Sequence, residues 1–286
     1  MTTHARDIFV TANGLRHHLI ARGSPGQPVV LLIHGLTQQA HVFDAIAARL
    51  GDSYHVYALD VRGRGESEWG AAQDYAMPTY VEDLEAVREA LGLESFSLLG
   101  TSMGGLIAMY YSAQHPERVL RLVMNDIGPE IDRQGLQRIQ AMASSAPEAF
   151  TDLKAVAKYY REENGPVLAR RSDDEVVEYA RWHVRRSDNG LYVWKMDPAI
   201  RQPQPGAARA ADPWEAYRRV KCPVLLVRGS TSDILSRQTV ERMKRESPHV
   251  STVEVANVGH APSLAEPEAE SALLAFLASE AVHEKE

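Results

Sequence analysis

With 286 residues, 44% hydrophobic and 24% charged, the chain has enough apolar material for one large α/β domain with an insertion, or for two ordinary domains. A net charge of −7 with scattered basic residues argues against nucleic-acid or anionic-membrane binding, and no run of about eighteen apolar residues exists to span a bilayer. The only cysteine, Cys222, excludes an intramolecular disulfide, and the stretch 1–7 lacks the apolar character of a signal peptide, so a cytoplasmic setting is expected.

Segments 7–12 and 16–21 flank Asn13-Gly14, a pair suited to a tight turn, and read as a hairpin at a sheet edge. Val29 to Ile33 is five apolar residues in succession, as in a strand buried on both faces, and it ends in His34-Gly35-Leu36-Thr37. A helix is expected over 41–50 and a strand over 54–59, closing at Asp60. The glycine-spaced loop from Asp60 to Ser67 lacks the full G-x-G-x-x-G spacing and any Lys-Ser/Thr ending. Asp60, Arg62 and Arg64 therefore read as a structural network rather than a nucleotide site. Pro78 opens a helix with Val81, Leu84, Val87 and Leu91 on one face and Gly92 as its stop. A strand at 96–99, a helix ending before Pro116 and a strand at 119–124 follow, the last leading to Asn125-Asp126. From 127 to 212 the rhythm lapses into helices expected near 133–146, 147–163 and 173–186. The third should be capped by Ser172 with Glu175, and Arg185-Arg186 should fill its last turn. The alternation resumes with strand 224–227, helix 236–246, strand 252–255 and helix 267–278. The expected class is α/β, a three-layer mainly parallel sheet. Its core would come from residues 1–126 and 213–286, with 127–212 inserted as a helical cap.

Gly100-Thr101-Ser102-Met103-Gly104 sits between a strand and a helix, the context in which a G-x-S-x-G pattern carries meaning. A serine on so sharp a turn holds strained backbone, and glycine at 100 and 104 removes Cβ atoms that would collide with neighbouring chain. The amide of Met103, at the start of the helix, points toward negative charge forming beside the Ser102 hydroxyl.

Ligands of parallel sheets meet the carboxyl ends of the strands, where His34-Gly35, Asp60, Ser102, Asp126, Asp233 and His260 are expected to stand. A serine nucleophile needs a base, and the base needs an anionic partner that fixes its tautomer. Ser102, Asp233 and His260 supply those roles in one chain order, with Asp126 as the second candidate for the acid.

In these motifs, in Asp60-x-Arg62-Gly63-x-Gly65-x-Ser67 and in Gly259-His260-Ala261-Pro262, the chain resembles the α/β-hydrolase fold superfamily over residues 8–126 and 213–280. The resemblance implies Ser102 as nucleophile, His260 as general base and acid, and Asp233 as its orienter. It also implies an oxyanion hole from the amides of Leu36 and Met103, with His34 shaping that loop through backbone hydrogen bonds. Some members take the acid from the strand after the nucleophile, which keeps Asp126 in contention. Serine at the elbow separates the chain from relatives with aspartate there, the haloalkane dehalogenases and epoxide hydrolases. Leu36-Thr37-Gln38-Gln39 and Ala261-Pro262 depart from the glycine-rich loop and the aromatic residue expected of carbon–carbon bond hydrolases. The leading expectation is a hydrolase of small carboxylic esters or lactones. A carbon–carbon bond hydrolase of ring-fission products and a hydrolase-fold small-molecule binding protein are the alternatives.

Phe150, Tyr159, Tyr160, Trp182, Tyr192 and Trp194 are the aromatic residues of the cap, and Tyr160, Trp182 and Trp194 are the expected substrate contacts. Arg181, Arg185 and Arg186 either hold a substrate carboxylate or form a solvated helix end. There is no H-E-x-x-H and no cysteine or carboxylate cluster, so neither a metal nor an organic cofactor is expected, and the expected partner is a small-molecule substrate.

Overall fold

The computed structural model describes residues 4–168, 171–202 and 210–279, of which 164–167 by backbone only. The edge hairpin forms around Asn13-Gly14, both at positive φ, joining β1 (Arg6–Ala12) to β2 (Leu15–Arg22). Then come β3 (Val29–Ile33), α1 (Asp44–Leu50), β4 (His55–Leu59), α2 (Met77–Ala90), β5 (Phe96–Thr101), α3 (Met103–Gln114) and β6 (Val119–Asn125). After α4 (Arg133–Ser145) come β7 (Ala149–Phe150), α5 (Leu153–Leu168), α6 (Asp173–His183), β8 (Val184–Arg186) and β9 (Tyr192–Trp194). The chain closes with α7 (Pro213–Arg219), β10 (Val224–Gly229), α8 (Arg237–Glu246), β11 (Val250–Val255) and α9 (Pro267–Ala278).

Eight strands form one sheet in the order β1-β2-β4-β3-β5-β6-β10-β11, antiparallel at the β1-β2-β4 edge and parallel from β4 onward. Successive residues of a strand point to opposite faces, so the apolar runs feed two cores at once. Leu31, Ile33, Leu98, Leu122, Met124 and Leu226 pack on one face with residues of α2, α3, α7 and α8. Val30, Leu32, Leu99, Val123, Leu225 and Val227 pack on the other with α1 and α9. Helices on both faces make the three layers expected, with every parallel strand ending at the same rim.

Residues 127–212 add no strand to this sheet among those described. They hold a separate small sheet in the order β7-β9-β8 and an apolar cluster of their own, centred on Val156, Tyr160, Val176 and Ala180. Here the structure departs from two expectations. The helix expected over 147–163 is a short strand followed by α5, which begins only at Leu153. The helix expected over 173–186 has the capping box of Ser172 and Glu175 but ends at His183. Val184 turns to extended backbone, and Val184 to Arg186 pair antiparallel with Tyr192 to Trp194, so Arg185 and Arg186 lie on a strand instead of in a last helical turn. Helical spacing of apolar residues says nothing about a hairpin partner arriving later in the chain, and that pairing decides the outcome. Much of the Pro-containing connection, residues 203–209, lies outside the described residues.

Candidate active site

Ser102 stands between β5 and α3 with φ 52° and ψ −120°, a conformation that costs an L-residue energy and persists only where the surroundings enforce it. The enforcement is steric. A Cβ on Gly100 would lie 2.2 Å from the Gly104 carbonyl oxygen, and one on Gly104 would lie 2.0 Å from that of Ile33. Only glycine at both positions lets β3, β5 and α3 approach this closely. The Ser102 amide donates to Asn125 O at 3.0 Å, and its carbonyl accepts from the amides of Gly105 and Leu106, so the turn is anchored on both sides.

His260, in the loop after β11, faces Ser102. The Ser102 hydroxyl donates to His260 Nε2 at 2.8 Å, and His260 Nδ1 donates to Asp126 Oδ2 at 2.8 Å. A carboxylate oxygen can only accept, which places the ring proton on Nδ1 and leaves Nε2 as the acceptor for the serine proton. Asn125 steadies the histidine loop by donating to Pro262 O at 2.8 Å and to Thr101 Oγ1 at 3.0 Å.

The carboxylate partner is the second candidate, not the first. Asp126, immediately after β6 and fully buried, accepts from His260, from the Ser232 hydroxyl at 2.6 Å and from the Gly229 amide at 2.9 Å. Asp233 is turned away: both its oxygens accept from Arg138 of α4, at 2.5 and 2.8 Å, and it remains about 39% exposed. That guanidinium holds its carboxyl below the usual carboxylate range. The expectation that Asp233 orients His260 is therefore corrected. The loop after β10 contributes hydrogen-bond donors to the acid, Gly229 and Ser232, instead of the acid itself.

The loop after β3 passes against the Ser102 turn, close enough that a Cβ on Gly35 would sit 3.5 Å from the Ser102 Cβ. His34 is buried beneath it, accepting from the Val61 amide at Nε2 and donating from Nδ1 to Gly35 O. Burial drives its pKa down to about 4, so the ring is neutral, as this pair of roles requires. Arg64, with no exposed surface, donates to the carbonyls of Leu36 at 3.1 Å and Arg62 at 2.9 Å, to Tyr80 at 2.8 Å and to Met103 Sδ at 3.4 Å. It thus ties together the two residues expected to present amides to an oxyanion. Met103 opens α3, so its amide has no partner inside the helix.

Asp60 is buried and accepts from the amides of Ala40 and Glu66 and from His18 Nδ1, the structural role expected of it. Burial opposes its charge, but those donors hold its carboxyl below the usual range. Arg62 pairs with Asp83 inside the fold.

One cavity adjoins this centre, lined by His260, Thr101, Gln38, Phe43, Arg171 and Tyr179. A second is lined by Thr37 of the β3 loop with Met142, Tyr159, Tyr160, Trp194 and Arg201. Tyr160 and Trp194 line the second of these cavities. Trp182 lines neither: it stacks on His41 with ring centroids 3.6 Å apart and borders a separate hollow with His18, Asp60 and Lys195. Arg181 pairs with Glu178 on the exposed face of α6, and Arg185 and Arg186 are exposed on β8, so none of the three faces either cavity. The cationic groups that do, Arg171 and Arg201, have no motif around them and were not legible in the sequence. No three histidine, cysteine or carboxylate side chains among the described residues gather as a metal site, and no described helix is long and apolar enough to cross a membrane.

Comparison with known proteins identifies the family. Over 86% of its length the chain is 34% identical to the 3-hydroxybutyrate-oligomer hydrolase of Cupriavidus necator, of which it covers 87%. It is 29% identical, over 84% of each chain, to the 2-(acetamidomethylene)succinate hydrolase of Mesorhizobium japonicum. An α/β-hydrolase crystal structure from Novosphingobium aromaticivorans superposes with a TM-score of 0.86 at 34% identity, covering 96% of this chain and 98% of that one. The family model described as alpha/beta hydrolase fold matches residues 28–267. The chain belongs to the α/β-hydrolase fold family and is a hydrolytic enzyme.

Proposed function

We propose that the protein is a serine hydrolase that cleaves small carboxylic esters through an acyl-enzyme on Ser102, with residues 127–212 as a cap over the site. The observation that carries this reading is the unbroken chain of hydrogen bonds from Asp126 through His260 to Ser102 on the strained turn. Asp126 holds the imidazole with Nε2 free to accept the Ser102 proton, and its negative charge stabilises the imidazolium that forms. Ser102 attacks the acyl carbon, and the amides of Leu36 and Met103 receive the developing oxyanion, an arrangement whose single donors are each worth about two to three orders of magnitude in rate. His260 then protonates the leaving alcohol and activates the water that releases the acid. The Cupriavidus relative is named as a hydrolase of 3-hydroxybutyrate oligomers; a hydroxy acid oligomerises through ester bonds, the type this chemistry suits, and lactones fall in the same class.

A fluorophosphonate probe tests the first step: wild-type protein is labelled and Ser102→Ala is not, and labelling that survives the substitution removes Ser102 as nucleophile. A panel of chromogenic esters of graded chain length, lactones and a ring-fission dienoate tests the substrate class. Turnover of the dienoate alone would make the protein a carbon–carbon bond hydrolase. Acylation without product release would make it a binding protein.

A further inference from the structure

Arg201 follows β9 in a 3-10 turn, Pro198–Arg201, and lines the cavity that also includes Thr37. It lies 5.0 Å over the ring of Trp194, and its Nη1 donates to Ala146 O at 3.3 Å. Its Nε is buried without a hydrogen-bond partner, and no carboxylate among the described residues lies within ion-pair distance. Its neighbours along the wall are the rings of Tyr159 and Tyr160, and burial among them lowers its pKa. A half-buried guanidinium with an unused edge is costly unless something complements it. The Nε–Nη2 edge is the planar fork that takes a carboxylate through two parallel hydrogen bonds, with an aromatic face beneath to support the cation. Arg171, the cation among the described lining of the cavity beside His260, lies over Tyr179, and no buried unpaired donor marks it.

We propose that Arg201 is a specificity-determining residue that binds a carboxylate on the substrate, so that the preferred substrates are esters of short aliphatic chains ending in a free acid. The scissile carbonyl lies at Ser102, the chain runs past Thr37 along the Tyr159, Tyr160 and Trp194 wall, and the terminal carboxylate pairs with Arg201. This rests on the hydrolase reading above and names the substrate class for it.

The test compares monoethyl adipate with diethyl adipate, and the linear dimer of 3-hydroxybutyrate with its methyl ester, by pH-stat on wild type, Arg201→Gln, Arg201→Lys and Arg171→Gln. Wild type should prefer at least one acid over its neutral partner. Arg201→Gln should lower kcat/KM for that acid about 10- to 100-fold, the loss expected for hydrogen bonds to a charged group, while neutral esters change less than threefold. Arg201→Lys should recover part of the loss. Equal loss on acids and neutral esters would make Arg201 a packing residue and overturn the proposal, as would discrimination that follows Arg171 instead. Adipate binding by calorimetry, weakened in Arg201→Gln, needs no turnover. Binding without hydrolysis of any ester would therefore sink the esterase reading alone, and hydrolysis without acid preference or adipate binding would sink the carboxylate site alone.

Discussion

Replacing Asp126 by asparagine changes one atom and should inactivate the enzyme. The direction follows from the donors around the side chain. Asp126 Oδ1 accepts from the Gly229 amide at 2.9 Å, so the asparagine oxygen must stay there, since an NH₂ would face an N–H. The NH₂ then takes the place of Oδ2, opposite His260 Nδ1 at 2.8 Å. Facing a donor, Nδ1 must become the acceptor, and the ring proton moves to Nε2, where it points at the Ser102 hydroxyl and blocks proton transfer. A fixed wrong tautomer of this kind costs about four orders of magnitude in kcat, and a fall of at least three is expected on the best chromogenic ester. The matching substitution Asp233→Asn removes an ion pair whose side chains are 44% and 39% exposed. Such a pair is worth about 1 kcal/mol or less, so activity should stay within about threefold. The assay is steady-state hydrolysis by both variants beside fluorophosphonate labelling rates, with circular dichroism to confirm folding. If Asp233→Asn proves the more damaging, or if Asp126→Asn keeps more than a tenth of wild-type kcat, the assignment of the acid is wrong.

Gly104→Ala should destabilise by about 3 kcal/mol or more, because its Cβ would meet the Ile33 and His34 carbonyl oxygens, which are backbone and cannot rotate away; a wild-type urea midpoint would refute this. Arg64→Met removes the cation that spans Leu36 and Met103 and should lower kcat about 10- to 100-fold through a loosened oxyanion loop, measured on a neutral ester; unchanged kcat in a folded variant would free the loop from Arg64. Acid should unfold the protein through two buried histidines. Burial lowers both His34 and His183 to about 4, so between pH 6.5 and 4 the unfolded chain binds protons that the folded chain does not. Stability therefore falls as pH falls through that window, by up to about 3 kcal/mol for each histidine. Urea unfolding at stepped pH should show this, and His183→Gln should reduce the fall by about half while His34 keeps the rest; a curve level from pH 7 to 4 would contradict it.

The turn at Ser102 was legible because its physics is local. Gly100, Ser102 and Gly104 read as an elbow from their spacing between a strand and a helix, and the two glycines meet the carbonyls that demand them. The buried strands were equally plain, since Val29 to Ile33 has to supply both cores. The cap was harder. Val184 to Arg186 continues a helical pattern until Tyr192 to Trp194 pairs with it, a contact that no periodicity announces. Arg201 stayed hidden for a related reason: its significance lies in what it lacks, and an unused guanidinium edge has no sequence signature.

The acid is the more instructive case, because both candidates were visible and the choice between them depended on tertiary contacts. β6 and β10 are parallel neighbours with Asn125 opposite Val227, so the loops that leave them emerge side by side and either can reach the imidazole above. Chain order therefore cannot distinguish an aspartate after one from an aspartate after the other. Competition for partners can. Arg138 reaches over from α4 and occupies both oxygens of Asp233, while Gly229 and Ser232 turn their donors toward Asp126, where a buried carboxylate needs them. The residue that holds His260 is thus set by an arginine from the inserted segment and by two donors from the loop that was expected to provide the acid.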